Sequence, residues 1–585
     1  MTQLETLANE LFIEVFEYLD GIHILCAFGD LNTRFNTLLL AHFSPYQLDF
    51  RSVSKYDFDL ICQRYLPLID DRVIQICFSN DIETPFLYHR FLLHNLTLNQ
   101  FTILQSLSLV HIGSLEKINR IINESSLCTI HLKYLTITNY FTENSVHFDC
   151  LINQIWLLPR LIRCTLNSPS MVTQFSLSSL STISSSIEYF STVHLQFICD
   201  DISHLFEYTP RLRYLRVTLG YDYEVESSPK VPVALTALHL YARFSDIGLR
   251  CLLQNASHLL RLIVITEDFY LNGHQWKHII VNQLPNLQIV RFRMHFKCEE
   301  NQNIQELIEA LLNTFRTPFW LDDHGWFIQC QWDSQSVCDN IYFYTLPMFI
   351  DDLYVLDSRT CYKSTCPNDS FCYAYDSIQN ILPQPNVDDR QRIPIHCPQI
   401  KSIKITLPIH ENIWSVFATL NHLTSLHLSN QESSTYIEYQ LESLLNQTST
   451  LYSLVVNEHL ALRLSSLKIT NRSIRRVDCF ERCECFHVFF NANECSKWID
   501  SSLGHQCEVF CIKVENQDNI IDLVQKMPNL RALICECKRD KLSKGDTTSS
   551  DKDDFIERLK EDLPAKCIVN RDVRNYKRIR LWIEK

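Results

Sequence analysis

The sequence predicts an α/β fold made of repeating strand and helix units, preceded by three short helices. A strand-like pattern of apolar residues recurs along most of the 585 residues. Helical periodicity appears between its copies, for example at residues 246–253 and 436–445. Strand, loop and helix that alternate at a steady period stack into a parallel-stranded solenoid.

The recurring pattern is an apolar residue, two residues of any kind, a second apolar residue, one residue of any kind and a third apolar residue. Its copies are Leu104/Leu107/Leu109, Leu132/Leu135/Ile137, Phe190/Val193/Leu195, Leu212/Leu215/Val217, Leu235/Leu238/Leu240, Leu259/Leu262/Val264, Leu287/Val290/Phe292, Ile400/Ile403/Ile405, Leu423/Leu426/Leu428, Leu451/Leu454/Val456, Ile474/Val477/Cys479, Cys507/Phe510/Ile512 and Leu530/Leu533/Cys535. Neighbouring middle positions lie 28 residues apart (107 to 135), 22 (193 to 215) and 23 (403 to 426). These spacings are typical of leucine-rich repeats.

Several copies open with a similar phrase, TPRLRYL, LPNLQIV, CPQIKSI or MPNLRAL. The proline in each phrase ends the preceding helix and favours an extended start. We therefore predict an irregular leucine-rich-repeat horseshoe over residues 46–295 and 397–585, with parallel strands on the concave face and helices outside. A helix at 555–563 and a strand at 578–582 are expected to cap its carboxyl end. The alternative is a general α/β domain with unrelated strands.

An insertion at residues 296–396 interrupts the period. We expect a helix at 303–315 and then a β-hairpin, because two alternating, aromatic-rich segments (319–332 and 340–347) flank a polar turn. Cys361, Cys366 and Cys372 follow, and a second cysteine cluster contains Cys479, Cys483 and Cys485. Neither cluster has the paired spacing of a zinc site, so reduced thiols are the favoured interpretation and a metal-dependent activity of the insertion is the alternative. No cofactor is expected.

Composition excludes several function classes. A formal net charge of -14 disfavours general affinity for nucleic acid or for acidic membrane surfaces. No glycine-rich phosphate loop, nucleophile motif or metalloprotease motif is present, and we predict a protein without enzymatic activity of its own. The absence of a secretion signal or apolar span indicates a soluble protein of the cytoplasm, the nucleus or both.

The amino-terminal stretch divides into three amphipathic pieces. Leu7, Leu11, Val15, Phe16 and Leu19 recur at helical spacing, and acidic residues occupy the other side. The dipeptide at 20–21 ends this piece, a second apolar piece surrounds 22–28, and Asn32 is placed to cap a third. About 40 residues cannot enclose a core alone, so the three helices need a partner in the same chain or in another.

The run Leu7-Ala8-Asn9-Glu10-Leu11, followed by residues 15–19 and by Ile24-Leu25, resembles the F-box, in which LPxELxxxIFxYL precedes a short apolar helix. Ala8 stands where that family usually has proline. The resemblance implies that residues 1–45 dock onto the Skp adaptor and, through it, onto the cullin scaffold of an SCF ubiquitin ligase. The implied adaptor-binding residues are Leu7, Leu11, Val15, Phe16, Leu19, Ile24, Leu25 and Phe28. The alternative is a helical cap that folds back onto the repeats.

Outward strand positions predict where a target would bind. In a leucine-rich strand the residues between the apolar positions point to the concave face. Read across the copies, these positions are Arg163, Tyr214, Arg216, His239, Arg261, Arg291, Arg293 and Lys404. Arginine pairs carboxylate and phosphate groups bidentately, so this set suits an acidic or phosphorylated target protein. The alternative is a set of solvated strand residues without a binding role.

Together these features predict the substrate-recognition subunit of an SCF-type ubiquitin ligase. The amino-terminal helices would hold the adaptor, and the repeats would hold the target. The alternative is a leucine-rich-repeat scaffold that binds proteins without a ligase role.

Overall fold

The computed structural model describes residues 7–43, 45–124, 128–139, 141, 145–168, 173–220, 229–243, 246–298, 303–333, 340–347, 352–353, 360–367, 380–381, 400–407, 422–430, 435–481, 488–540, 553–572 and 575–584. The chain divides into two compact units, Met1–Phe296 and Lys297–Lys585. The division falls beside the expected start of the insertion.

Unit 1 is a parallel sheet with helices between its strands. The helices are α1 (Asn9–Glu17), α2 (Gly21–Phe28), α3 (Thr33–Thr37), α4 (Lys55–Leu60), α5 (Leu66–Ile69), α6 (Leu87–Leu93), α7 (Leu115–Glu124), α8 (Ser145–Trp156), α9 (Cys199–Tyr208), α10 (Ile247–Leu253) and α11 (Gly273–Gln283). The strands are β1 (Tyr46–Asp49), β2 (Val73–Ser79), β3 (Ser106–Val110), β4 (Tyr134–Thr138), β5 (Arg163–Asn167), β6 (Thr173–Gln174), β7 (Tyr189–Phe197), β8 (Tyr214–Leu219), β9 (Ala237–Arg243), β10 (Arg261–Glu267) and β11 (Ile289–Lys297).

The strands of unit 1 follow the chain in the sheet. Each strand from β1 to β11 lies parallel to the next, except that β5 pairs with β7 and the short β6 pairs with β7 at the side. Burial alternates along these strands, so that one face packs on the helices and the other, which we call the open face, is half-buried or exposed. The predicted parallel strands with intervening helices are confirmed.

One repeat copy was placed wrongly by the apolar pattern. The sequence puts Val193 at the middle position of β7, but Phe190 occupies it, because Phe190 pairs with Cys164 on one side and with Leu215 on the other. The strand then leaves regular register between Ser191 and Gln196, where His194 adopts a left-handed φ of 63°. Because of this irregularity, the apolar triplet Phe190/Val193/Leu195 has its middle residue three positions after the true middle residue, Phe190.

Unit 2 contains the inserted elements and a second sheet. Its helices are α12 (Ile304–Phe315), α13 (Pro318–Leu321), α14 (Thr435–Gln447), α15 (Glu458–Leu464), α16 (Ala492–Asp500), α17 (Ser502–Gln506), α18 (Gln517–Lys526) and α19 (Asp554–Asp562). The strands are β12 (Ile328–Asp333), β13 (Asn340–Thr345), β14 (Asp352–Leu353), β15 (Thr360–Ser364), β16 (Asn380–Ile381), β17 (Ser402–Leu407), β18 (Ser425–Asn430), β19 (Ser453–Asn457), β20 (Arg476–Glu481), β21 (Val509–Val514), β22 (Ala532–Cys537), β23 (Ile568–Arg571) and β24 (Arg578–Trp582).

The predicted hairpin is confirmed, since β12 and β13 pair antiparallel and β15 lies antiparallel on the other side of β12. The first hairpin segment is shorter than expected. Pro318 occupies the first turn of α13, where its missing N–H is tolerated, so residues 318–321 are helical.

The second sheet runs in the order β14, β16, β17 to β22, β24 and β23. Its strands are parallel from β14 to β22. The last two reverse: β24 pairs antiparallel with β22, and β23 with β24. A buried apolar cluster that extends from Ile400 to Ile583 forms its core. The predicted carboxyl-terminal helix and strand are therefore present and close this sheet. Most of the charged segment at 538–554 lies outside the described residues.

Candidate functional site

Four of the predicted adaptor-binding residues are exposed apolar residues in or beside α1, which we call the α1 stripe: Leu7, Leu11, Val15 and Leu19. Each is 38–46% exposed, and neighbouring Tyr18 is 89% exposed. Leu11 and Val15 are four residues apart in α1 and lie on one side of it, while Leu7 precedes the helix and Leu19 follows it. Several exposed apolar residues in a short segment are typical of a protein interaction site.

The other four predicted residues lie beneath the stripe. Phe16, Ile24 and Leu25 are buried, and Phe28 is half-buried. The ring of Phe16 packs against those of Phe28, at 5.0 Å, and Phe43, at 5.6 Å. These residues therefore hold the helices together and position the α1 stripe. They do not themselves present a surface.

The helices also attach to the repeats within the same chain. Phe43 contacts Tyr46 of β1, with 5.0 Å between ring centroids. A side chain at Gly21 would come within 2.6 Å of the Gln47 carbonyl oxygen, so glycine permits the close approach of α2 to β1. Asp20 and Asn32 cap α2 and α3 by accepting hydrogen bonds from Ile22 and Phe35. The cap predicted at Asn32 is confirmed.

Ala8 has the backbone geometry that proline would impose. Its φ is -66° and its ψ is 153°, and its carbonyl accepts the hydrogen bond from Phe12 that begins α1. Proline fixes φ near -65°. Ala8 therefore adopts the φ angle before the first turn of α1 without the proline that the F-box family usually has there.

Strand register brings most of the predicted target-binding residues together on the open face of unit 1. A first row crosses consecutive strands and contains Tyr134, Arg163, Tyr189, Tyr214, Ala237 and Arg261. A second row lies two residues further along the strands and contains Thr136, Thr165, Ser191, Arg216, His239, Ile263 and Arg291. Arg163 and Arg261 are exposed, and Tyr214, Arg216, His239 and Arg291 are half-buried.

The first row contains a stack of planar groups. The guanidinium carbon of Arg163 lies 4.2 Å from the ring centroid of Tyr189. The rings of Tyr189 and Tyr214 are parallel, with centroids 4.0 Å apart. Arginine over an aromatic face gains electrostatic energy from the ring quadrupole. Burial and the hydrogen bond with Tyr189 raise the pKa of the Tyr214 hydroxyl, so it stays protonated.

Three arginines of the two rows carry positive charge that no described carboxylate offsets. Within the part of the chain that the structure describes, no carboxylate pairs with Arg216, Arg261 or Arg291. His239 between them is neutral at pH 7, because burial and the charge of Arg216 lower its pKa to about 3. The surface therefore combines permanent positive charge with neutral hydrogen-bonding groups.

The remaining predicted positions lie elsewhere. Arg293 pairs in register with Ile265, beyond the second row, and contributes positive charge near Tyr241. Lys404 belongs to β17 of unit 2, where its register partner is His427. It is thus not part of the two rows in unit 1.

Two features of the open face were missed by the sequence argument. Tyr189 was hidden by the misplaced copy in β7. A copy begun at Ile187 has Phe190 as its middle residue and Thr192 in its third position, so the apolar pattern passed over it, although it places Tyr189 in the position of Tyr214. Glu267 was also missed, and its carboxylate lies 2.9 Å from Nε of Arg243. Burial and a hydrogen bond with Glu267 raise the pKa of Tyr241. Glu267 therefore offsets the charge of Arg243 at the carboxyl-terminal side of this face, whereas no described carboxylate offsets Arg216, Arg261 or Arg291.

Cysteine environments give no metal centre in the described part of the chain. No group of three His, Cys, Asp or Glu side chains there could hold a metal ion. Cys372, Cys483 and Cys485 lie outside the described residues. Burial raises the pKa values of the Cys479 and Cys511 thiols well above the usual range, so both are protonated. None of the helices in the described segments has the length and apolar content needed to cross a bilayer.

Comparisons with known proteins add little to this geometry. No family model matches the sequence, and no curated protein matches it significantly. A solved structure that resembles the chain is the crystal structure of CroV588, a novel circular LRR protein, with 10% sequence identity and a TM-score of 0.20. The match covers 65% of this chain and 48% of that one, so the chain spans about half the length of that protein.

Proposed function

We propose that this chain is the substrate-recognition subunit of an SCF-type ubiquitin ligase, in which the α1 stripe binds the Skp adaptor and the repeats bind a target protein. The observation that carries the proposal is the α1 stripe. Phe12 and Phe16 of α1 are buried, yet four apolar side chains in or beside this helix remain 38–46% exposed. Covering them with an apolar partner would stabilise the complex.

Target binding would contribute proximity to the reaction. A receptor that holds a target beside the conjugating enzyme makes an intermolecular transfer effectively intramolecular. The open face of unit 1 supports this role, because Arg216, Arg261 and Arg291, which have no carboxylate partner among the described residues, suit an acidic or phosphorylated protein segment.

The alternative is a repeat scaffold without a ligase role. It is favoured by the internal attachment of the helices, in which Phe43 joins them to β1 and Arg34 bonds to Asn9 and to the Leu7 carbonyl. In that case the α1 stripe would bind a different protein or none.

Adaptor binding measured by calorimetry separates the two functions. We expect Leu11→Glu with Val15→Glu to weaken binding of the purified Skp adaptor by about 100-fold, because two charges would be buried in an apolar interface. The matched control is Leu93→Glu, at a leucine of α6 that is 60% exposed. It should leave adaptor binding unchanged. Equal binding by all three proteins, or no binding by the natural chain, would reject the ligase role.

A further inference from the structure

The first row of the open face contains a narrow site beside the aromatic stack. Arg163, Tyr189 and Tyr214 occupy three consecutive positions in this row, and Ala237 and Arg261 occupy the next two. Ala237 is half-buried and offers only a methyl group. One face of the Tyr214 ring is covered by Tyr189. Its other face is directed across Ala237 towards the strand of Arg261.

The spacing across this site admits one flat group and not two. Neighbouring strands are about 4.8 Å apart, so the positions of Tyr214 and Arg261 are separated by roughly 9.6 Å. One planar ring in contact with a group on each side needs roughly 7 Å, two contact distances of about 3.5 Å, whereas two stacked rings would need roughly 10.5 Å. A single aromatic ring above Ala237 would thus stack on Tyr214 and meet the guanidinium of Arg261. It would extend the Arg163–Tyr189–Tyr214 stack by one layer.

The positive charge around this site favours a negatively charged group next to the bound ring. Arg216 and His239 border Tyr214 and Ala237 in the second row, and Arg291 lies two strands beyond His239. None of the three arginines, Arg216, Arg261 or Arg291, pairs with a carboxylate among the described residues. A carboxylate or phosphate next to the ring would supply the missing partner and gain charge-assisted hydrogen bonds.

We propose that the site formed by Tyr214, Ala237 and Arg261 binds an aromatic side chain from an extended, acidic segment of the target protein, with Arg216 and Arg291 pairing its negative groups. This inference rests on the proposed role of the repeats in target binding and names the chemistry of the target. The negative group is either a carboxylate on a neighbouring residue or a phosphate on the ring itself.

A peptide suits the surface better than a nucleic acid strand. The chain has a formal net charge of -14, which repels a long polyanion. Proteins that track single strands use several aromatic platforms along a basic groove. Here Glu267 places a carboxylate on the same face beyond the two rows.

Fluorescence anisotropy with the full chain and labelled peptides tests the proposal. One peptide carries a single tyrosine flanked by glutamates, and a second carries phosphotyrosine flanked by glutamines. We expect at least one of them to bind about tenfold more tightly than two reference peptides, a glutamate peptide with leucine at the ring position and a glutamine peptide with plain tyrosine. Equal binding of all four peptides would overturn the proposal. So would competition by an oligothymidylate at lower concentration than the unlabelled peptide.

Two variants test where the aromatic side chain of the peptide binds. Ala237→Phe puts a ring between Tyr214 and Arg261 and should weaken the preferred peptide by about tenfold or more, as should Arg216→Glu with Arg261→Glu. Ser106→Phe is the matched control, because it adds the same ring on the open face three strands before Tyr189. It should bind the peptide normally. Unchanged peptide binding by Ala237→Phe would overturn the assignment of the aromatic site to Ala237. Adaptor binding is measured separately with the same variants and tests the proposed ligase role.

Discussion

At the scale of single residues, neighbours decide what each charged or polar side chain of the open face contributes. Arg243 is neutralised by Glu267 at 2.9 Å, whereas Arg216 has no carboxylate partner in the described chain. His239 beside Arg216 stays uncharged because burial and that guanidinium lower its pKa to about 3. Residue type alone therefore does not show which guanidinium groups have a carboxylate partner. The residues that face them across the strands do.

Ala8→Pro tests the residue that departs from the F-box pattern. Ala8 already has a φ of -66°, so proline should fit and should stabilise the chain by about 0.5 kcal/mol, because it restricts the unfolded state. Hydrogen exchange of the α1 amides measures this gain as slower exchange. Ala27→Pro in the interior of α2 is the control and should cost about 3 kcal/mol. Faster exchange in Ala8→Pro would contradict the backbone argument.

At the scale of secondary structure elements, one buried carboxylate joins two helices of unit 1. Asp59 of α4 accepts hydrogen bonds from Lys55, at 2.9 Å, and from Arg90 of α6, at 2.8 Å, and contacts His94 at 2.8 Å. Burial by itself would raise the pKa of Asp59, but these hydrogen bonds outweigh it and lower the pKa to about 2. The cluster links helices from consecutive repeats.

Removal of this carboxylate should destabilise unit 1. We expect Asp59→Asn to lower the free energy of unfolding by about 3 kcal/mol, because Lys55 is only 3% exposed and would lose its partner. Urea unfolding at pH 7 measures the change. Asp71→Asn, whose side chain is 70% exposed, is the control and should change stability by less than about 0.5 kcal/mol.

The same cluster predicts a pH dependence. The folded pKa of Asp59 is lowered from 3.8 to about 2, so its contribution of about 2 kcal/mol is complete above pH 3.8 and is lost as the pH falls through 2. The difference in stability between the natural chain and Asp59→Asn should therefore shrink between pH 4 and pH 2. A constant difference across this range would show that the carboxylate is not held by the cluster.

At the scale of the whole molecule, each parallel sheet needs a cover for its terminal repeat, because a repeat buries its apolar edge only against a neighbour. In unit 1 the helices α1 to α3 lie against β1 through Phe43 and Gly21. In unit 2 the antiparallel strands β24 and β23 follow β22, and Leu581 and Trp582 are fully buried. The amino-terminal helices thus combine a structural role with an exposed apolar stripe.

Leu581→Ala tests the carboxyl-terminal cover. We expect a loss of about 3 kcal/mol in the free energy of unfolding, since the leucine is fully buried and its removal leaves a cavity. Thermal unfolding followed by circular dichroism measures the loss. Tyr576→Ala, at a residue that is 66% exposed in the same region, should leave the transition nearly unchanged. A small effect of Leu581→Ala would mean that β24 contributes little to the core of unit 2.

Local patterns predicted the elements well and the site only in part. The strands β9 and β10, the helix α12, the hairpin and the cap at Asn32 follow from periodicity, turn residues and capping chemistry that act over a few residues. The failure in β7 has a local cause too, because the irregularity at His194 offered an apolar triplet in the wrong register. Residues 318–321 became helical because proline at the start of a helix is favourable.

Outside β7, the amino-acid sequence by itself determined which strand residues of the repeat copies face inward, since burial of alternate apolar side chains depends only on neighbours along one strand. Only the tertiary structure decided which outward residues meet. Tyr189 stacks on Tyr214, and Ala237 lies between Tyr214 and Arg261, because strand register aligns residues that are more than twenty positions apart in the chain. The same distinction applies to α1, where helical spacing placed Leu11 and Phe16 in one apolar set. Packing against Phe28 and Phe43 buried Phe16 and left Leu11 exposed.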